Sequence, residues 1–106
     1  MFPREQRIRK TKDILKVLRQ GTRRNTPVVA CSFLSKPGNL SRITVIVDTK
    51  VSKLATVRNL LKRRTRAILG STQLQQGDTI VRLRPQAKDL SFSELNQQIK
   101  KCLNPR

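Results

Sequence analysis

The chain has 106 residues, a formal net charge of +18 and only three aromatic side chains. This length predicts one domain over residues 1–106, with a core built mostly from Leu, Ile and Val. So large a positive charge indicates a polyanionic partner, with nucleic acid first and an anionic membrane second. No apolar run approaches the ~20 residues of a membrane-spanning helix, and the basic N-terminus lacks the apolar stretch of a secretion signal. We therefore expect a cytoplasmic protein with no membrane partner.

The predicted elements begin with a basic segment, residues 1–10, that we expect to be flexible in the free protein. A first helix follows and ends at about Gln20. Thr11 or Asp13 is placed to cap its first turn, and Gly21 is placed to end it.

Two strands are predicted next, over residues 27–34 and 42–49. The first is rich in small and β-branched residues, and the second is largely apolar, with Ile43 and Val45 among its members. The turn signal at residues 36–39 lies between them, so the two strands are predicted to form a hairpin.

The residues from 57 to 69 predict a helix that carries many cations and no acid. At about 100° per residue, its apolar side chains fall on one stripe. The opposite arc holds Arg58, Asn59, Lys62, Arg63 and Arg66. Like charges at i,i+4 spacing repel one another, so a sequence that keeps them indicates a polyanion bound to this face.

The C-terminal part begins with a turn predicted at Gly77-Asp78, followed by a strand over residues 79–84. Ser91 and Glu94 have the spacing of a capping box, which predicts a last helix. The order is helix, strands, helix, strand, helix, and the middle of the chain has the pattern of a strand–helix–strand crossover. The expected class is α+β.

The sequence lacks the residue patterns of common catalytic sites. Histidine, the usual base near neutral pH, does not occur, and the six acids are scattered. Asp48 and Asp78 are assigned to strand ends or turns rather than to a carboxylate pair. The chain also lacks a phosphate-binding P-loop. We therefore expect no catalytic residue, no metal ligands and no small-molecule substrate.

Four stretches of the sequence resemble the protein subunit of bacterial ribonuclease P. They cover residues 7–14, 42–47, 50–66 and 77–95, and the third contains Arg58-Asn59, which is similar to the Arg-Asn-Arg signature of that family. The resemblance implies a four-stranded mixed sheet packed with about three helices, and a left-handed crossover from a strand through the basic helix to the next strand.

The resemblance also implies a function. The family's protein joins a catalytic RNA, and the complex removes the 5′ leader of precursor tRNA as an endoribonuclease. The RNA carries the catalysis and requires Mg²⁺, while the protein binds the RNA and contacts the leader in a cleft between the first helix and the sheet. The implied partners are therefore the catalytic RNA and precursor tRNA.

For this sequence, the resemblance implies two sets of site residues. The residues for binding the catalytic RNA are Lys50, Lys53, Arg58, Asn59, Lys62, Arg63 and Arg66. The residues for the leader cleft are Ile14, Val17, Leu18, Phe33, Arg82 and Arg84. A solvated basic face is the alternative for the first set, and for Asn59 so is a backbone hydrogen bond that fixes the loop before the helix. Ordinary core packing is the alternative for the apolar members of the second set, and plain solvent exposure is the alternative for Arg82 and Arg84.

The sequence departs from the family in its aromatic residues. The family often has Phe at the positions of Ile14 and Leu18, so stacking on leader bases, worth ~1–3 kcal/mol per base, is reduced here. Arg64 lies nearer the apolar stripe, where packing is as reasonable a role as RNA contact. The alternative function is a ribosomal or RNA-chaperone protein, which would explain the charge but not the four stretches.

Overall fold

The protein is built from three helices and a four-stranded mixed sheet, which confirms the predicted α+β class. The computed structural model describes residues 7–8, 10–36, 38, 41–71 and 76–103. In chain order the elements are helix α1 (Thr11–Gln20), strands β1 (Thr22–Asn25), β2 (Val29–Ser35) and β3 (Arg42–Ile46), helix α2 (Ala55–Gly70), strand β4 (Gly77–Leu83), a 3-10 turn (Pro85–Asp89) and helix α3 (Phe92–Leu103).

Strand β4 lies inside the sheet, whose order is β1-β2-β4-β3. It pairs antiparallel with β2 and parallel with β3. The predicted hairpin of β2 and β3 is therefore wrong. Almost all of β4 is buried, and a buried strand needs neighbours on both edges because its backbone groups cannot reach water. The hand of the connection from β3 through α2 to β4 stays a prediction.

Strand β1 was not identified from the sequence. All of its residues are exposed and polar, so it shows none of the apolar alternation that marks a half-buried strand. It forms because its backbone pairs antiparallel with that of β2, with Thr22 opposite Phe33 and Asn25 opposite Ala30. An edge strand of this kind depends on its neighbour rather than on its own composition.

The two faces of the sheet carry separate apolar clusters. Ile80 and Val81 are consecutive in β4, yet Ile80 packs with Ile8 and Val17, whereas Val81 belongs to the larger cluster. Side chains alternate between faces along a strand, so the clusters lie on opposite sides. We call the side of Ile80 the α1 face, and the side of Val81, which α2 and α3 cover, the α2–α3 face.

Helix α1 is fixed at its C-terminal end, and no side chain caps its N-terminal end. Neither Thr11 nor Asp13 caps it, because Lys10 takes the N-cap position without a side-chain hydrogen bond. Gly21 ends the helix, as predicted, although its φ is negative. A Cβ atom there would lie 2.5 Å from the carbonyl oxygen of Val17 and 2.6 Å from that of Phe33, so only glycine lets the helix end meet β2.

Helix α3 begins with the predicted capping box. The backbone N–H of Glu94 donates to Ser91 Oγ at 3.2 Å, and the backbone N–H of Ser91 donates to Glu94 Oε1 at 3.3 Å. These two bonds satisfy donors that a helix start leaves without partners. Leu95 and Ile99 then enter the larger cluster, which fixes α3 against the sheet.

Part of the N-terminal segment packs against the sheet, and the flexibility expected for the segment stays a prediction. Ile8 is 3% exposed, and its N–H donates to the carbonyl of Ile43 at 2.8 Å. The reason is that Ile8 fills the small cluster on the α1 face. Residues 1–6 and Arg9, for which flexibility was also predicted, lie outside the described residues.

Gly77 and Asp78 belong to β4, so the turn predicted for them is wrong. Asp78 is only 1% exposed. Its carboxylate accepts hydrogen bonds of 2.8 Å from Arg42 Nε and from Lys36 Nζ. Burial favours the neutral acid, but these two cations outweigh it and hold the pKa of Asp78 below its usual value. A buried ion cluster therefore replaces the expected turn.

Candidate nucleic-acid interface

Helix α2 presents a basic arc beside its buried stripe. Leu61, Thr65, Ile68 and Leu69 are buried, and the helix begins two residues before the predicted start. The arc is made of Asn59 and Arg63, which are exposed, and Lys62 and Arg66, which are half-buried. We call Asn59, Lys62, Arg63 and Arg66 the α2 arc.

The cations of the α2 arc form no ion pair within the part of the chain that the structure describes. Three of the described acids are engaged elsewhere: Asp13 and Asp78 pair with Arg42, and Asp48 pairs with Arg82. The arc therefore presents several positive charges that repel one another and that an external polyanion would neutralise.

Arg58 differs from the residues of the α2 arc because its guanidinium turns toward the loop before the helix. Its Nη1 donates to the carbonyl oxygens of Ser52 at 3.0 Å and of Lys53 at 3.1 Å. We call residues 47–54 the crossover loop. Arg58 therefore holds this loop in place, and that loop carries the exposed side chains of Lys50 and Lys53.

Replacing Arg58 by Ala is expected to weaken binding of the predicted RNA partner about tenfold, because the crossover loop loses two hydrogen bonds from a charged donor. Arg58→Lys keeps the charge but lacks the planar group that reaches both carbonyls. If Arg58 acts by holding the loop, lysine restores little of the lost affinity. Full restoration by lysine in a titration with RNA would instead identify Arg58 as a simple phosphate contact.

A groove of about 270 Å³ opens on the α1 face of the sheet, at the end of β4. It is lined by Ala30, Asp48, Lys50, Arg82, Leu83, Arg84 and Pro85. Arg82 is 52% exposed, and its Nη2 donates to Asp48 Oδ2 at 2.8 Å. Arg84 Nη2 donates to Asn25 Oδ1 at 3.0 Å. Both guanidinium groups are thus oriented while they still face solvent.

Asp48 is the acid of the groove. Its hydrogen bond with Arg82 has the largest effect on its pKa, which lies below the usual value, and the backbone N–H of Lys50 adds to this effect. Asp48 therefore stays ionised and ties β4 to the crossover loop. It is far from Asp78, since the register separates them by about six residues, or roughly 20 Å along the strands. The structure contains no pair of these two carboxylates.

Two residues predicted for the leader cleft are placed elsewhere. Val17 is completely buried in the small cluster on the α1 face, so it is a core residue. Phe33 pairs with Thr79 and alternates with Ser32, which puts it on the α2–α3 face, away from α1. The uncertain register of β2 is the reason for the second error, because a shift of one residue moves a side chain to the opposite face.

The other predicted cleft residues lie on the α1 face. Ile14 and Leu18 are half-buried against the small apolar cluster, and Arg82 and Arg84 line the groove. Lys50, predicted for the catalytic-RNA surface, also lines this groove. Arg64 is half-buried at the edge of α2 opposite the α2 arc, which leaves its two predicted roles open.

Sequence reasoning missed Asp48 and Asn25 as partners of the groove's arginines. Asn25 lies on the strand that was not identified. Asp48 follows β3, in which Ile46 pairs with Arg82. A strand–helix–strand crossover implies that β3 and β4 are parallel neighbours, and this pairing brings the end of β3 to Arg82. The crossover pattern was therefore the signal that could have identified Asp48.

Among the described residues, no group of three or more His, Cys, Asp or Glu side chains could hold a metal ion. Within the same part of the chain, no helix is long and apolar enough to cross a membrane. Cys31 and Cys102 are buried free thiols. A hydrogen bond with Cys102 and burial both raise the pKa of Cys31, so its thiol stays protonated.

Known proteins with similar sequences share one description. The model of the family described as Ribonuclease P matches residues 2–105. The ribonuclease P protein component of a Picosynechococcus strain is 31% identical over 96% of this chain and 90% of its own length. That of a Pseudanabaena strain is 34% identical over 97% of this chain and 92% of its own length.

Solved structures share the fold. The ribonuclease P protein from Thermotoga maritima matches with a TM-score of 0.83 at 23% identity, covering 94% of this chain and 96% of its own. A mutant of the Staphylococcus aureus protein matches with a TM-score of 0.86 at 21% identity, covering 94% and 86%. The family model and the sequence relatives establish that the chain belongs to the ribonuclease P protein family, the protein components of a bacterial ribonucleoprotein that processes tRNA.

Proposed function

We propose that the chain binds the catalytic RNA of ribonuclease P through the α2 arc and the crossover loop, and the 5′ leader of precursor tRNA through the groove. In this role it promotes endonucleolytic removal of the leader. The family assignment accounts for the charge that the ribosomal or RNA-chaperone alternative would also explain, so it is favoured over that alternative.

The observation that carries this proposal is the placement of two cationic surfaces on opposite faces of one sheet. The α2 arc lies on the α2–α3 face, whereas Arg82 and Arg84 line the groove on the α1 face. One protein can therefore contact two RNA segments at the same time. Binding both would lower the entropy cost of bringing a leader to a catalytic RNA.

The groove would hold the leader mainly by charge. Its lining contains no aromatic side chain, and Phe33 lies on the other face. Without an aromatic ring on which to stack, a leader base would contribute little binding free energy. Phosphate contacts by Arg82, Arg84 and Lys50 would therefore supply most of the affinity. We therefore expect leader binding to be sensitive to salt and tolerant of sequence.

The protein's own contribution to the reaction is binding and orientation. Arg82 and Arg84 are held by Asp48 and Asn25, so they can position a phosphate without first losing rotamer freedom. We propose that the RNA performs the hydrolysis, for which Mg²⁺ bound to the RNA would activate the attacking water and stabilise the leaving oxygen.

The test is reconstitution with a cognate catalytic RNA at low magnesium concentration. The protein should give multiple turnover of precursor tRNA, and the complex should bind precursor more tightly than mature tRNA. Replacing Arg82 and Arg84 by Gln should reduce that preference about tenfold, as expected for the loss of two phosphate contacts.

Lys100→Gln with Lys101→Gln is the matched control, because it removes the same charge from exposed positions of α3. This control should leave the preference for precursor unchanged. Cleavage by the protein alone would contradict RNA catalysis. An unaltered preference in the Arg82 and Arg84 variant would show that the groove does not hold the leader.

A further inference from the structure

Helix α1 carries a second row of cations on its outer surface. Lys12, Lys16 and Arg19 are exposed and follow one another at i, i+4 and i+7, so they form one stripe on the side away from buried Val17. We call Lys12, Lys16 and Arg19 the α1 stripe. None of them has an ion pair in the described parts of the chain.

The acid nearest to the α1 stripe in sequence is already engaged. Asp13 Oδ2 lies 3.7 Å from Arg42 Nη1, on the side of α1 that faces the sheet. The stripe therefore keeps its full charge and the repulsion between Lys12 and Lys16 at i,i+4 spacing. Like the α2 arc, it is a place where an external anion would relieve repulsion within one helix.

The position of α1 is set before any ligand binds. Arg23 Nη2 donates to the carbonyl oxygen of Leu18 at 2.8 Å, and the close approach of Gly21 to the backbone of Phe33 fixes the helix end. The rise of 1.5 Å per residue then separates Lys12 from Arg19 by about 10 Å along the axis. Charges at fixed spacing on a rigid helix suit a regular polyanion better than a scattered set of small anions.

An apolar side chain lies beside the charges. Leu15 is 44% exposed, although leucine in α1 could have been buried against the sheet. Leucine at this place offers a contact for a sugar or a base, while its cationic neighbours reach phosphates. A nucleic acid uses both kinds of contact at once, which inorganic phosphate does not.

The α1 stripe also lies on the opposite side of the sheet from the α2 arc. Helix α1 covers the cluster of Ile80, whereas α2 covers that of Val81. A single RNA segment lying on the α2 arc would have to pass around the sheet to reach α1, and the protein is 25 Å across in its shortest dimension. The two helices are therefore suited to different segments.

We propose that the α1 stripe is a second RNA-binding surface, which contacts the phosphate backbone of an RNA segment other than the one bound by the α2 arc. The inference rests on the proposed function to the extent that its ligand is an RNA of ribonuclease P. That segment belongs either to the catalytic RNA or to precursor tRNA, and the shared chemistry is the phosphodiester backbone.

The test uses the full chain with Lys12, Lys16 and Arg19 replaced by Gln. Its matched control replaces Lys88, Lys100 and Lys101 by Gln, which removes the same charge from exposed positions outside α1 and α2. One arm titrates catalytic RNA alone at several salt concentrations. The other compares precursor and mature tRNA binding to the reconstituted complex over the same range of salt. The slope of log affinity against log salt should fall by about two to three units in one arm, and by less than one in the control.

The arm that responds identifies the source of the RNA segment. Equal slopes for the α1 variant and its control in both arms would overturn the proposal, because the stripe would then act only through the net charge. The single variant Lys16→Gln should show about a third of the slope change, and it serves as the test if the triple variant melts at a lower temperature. The proposed function is tested separately, by measuring whether changes in the α2 arc weaken RNA binding. Failure of this inference is therefore distinguishable from failure of the proposed function.

Discussion

Replacing Lys62, Arg63 and Arg66 together by Gln is expected to reduce the salt slope of catalytic-RNA binding by about two to three units. Each phosphate contact adds roughly 0.7–0.9 to the slope, and at ~0.1 M salt three contacts are worth about a hundredfold in affinity. Glutamine is nearly as good a helix former as lysine and arginine, and it removes the repulsion between Lys62 and Arg66. The loss should therefore appear in binding and not in stability.

The choice of residues follows from the structure. Arg58 is left in place because its guanidinium bonds the carbonyls of Ser52 and Lys53, so its removal would disturb the crossover loop as well. The variant lacking Lys88, Lys100 and Lys101 again corrects for net charge. Filter binding or fluorescence titration over a range of salt measures the slope. A slope equal to that of the wild type would show that the α2 arc is not the main RNA surface.

Replacing Gly77 by Ala is expected to cost at least about 3 kcal/mol of stability. Gly77 has a φ of 138°, a conformation that side chains rarely adopt. A Cβ atom would lie 2.2 Å from the carbonyl oxygen of Leu34 and 2.9 Å from the amide nitrogen of Lys36. The strain and the clash fall at the start of β4, next to the buried carboxylate of Asp78. The melting temperature should fall by more than about 10 °C.

Two other glycines provide controls. Gly38 also has a positive φ, of 86°, but a Cβ atom there would meet nothing within 4 Å. Gly38→Ala should therefore cost only the backbone strain, about 1–2 kcal/mol. Gly70 lies in α2 with open space around it, and Gly70→Ala should stabilise the protein by about 0.5–1 kcal/mol. If Gly77→Ala unfolded at the same urea concentration as Gly38→Ala, the close approach of β4 to β2 would be refuted.

The sequence predicted the helices better than the sheet. Helix periodicity is local, so α1 ends at the predicted Gln20 and the capping box of Ser91 and Glu94 forms as expected. Strand pairing depends on residues far apart in the chain. The turn signal at residues 36–39 suggested a hairpin because nothing local shows that β4 lies between β2 and β3.

The same distinction holds for the candidate site. Charge and helical spacing are enough to predict the α2 arc, because both are properties of one short segment. The predicted cleft positions of Val17 and Phe33 were wrong. Val17 is completely buried, and the face on which Phe33 lies depends on the register of β2. Arg58 was predicted as a phosphate contact, and no sequence pattern shows that its donors reach the carbonyls of the crossover loop. Its contact with RNA stays a prediction.

The central position of β4 has a consequence for synthesis of the protein on the ribosome. Both apolar clusters include side chains of this strand, Ile80 in one and Val81 and Leu83 in the other. A nascent chain that ends before Gly77 can form α1, α2 and the ladder of β1 with β2, but it lacks the strand to which β2 and β3 both pair. Neither cluster can close until β4 has left the ribosomal tunnel. The basic helix α2 is thus synthesised before β4 and α3 can complete the cluster that holds its apolar stripe.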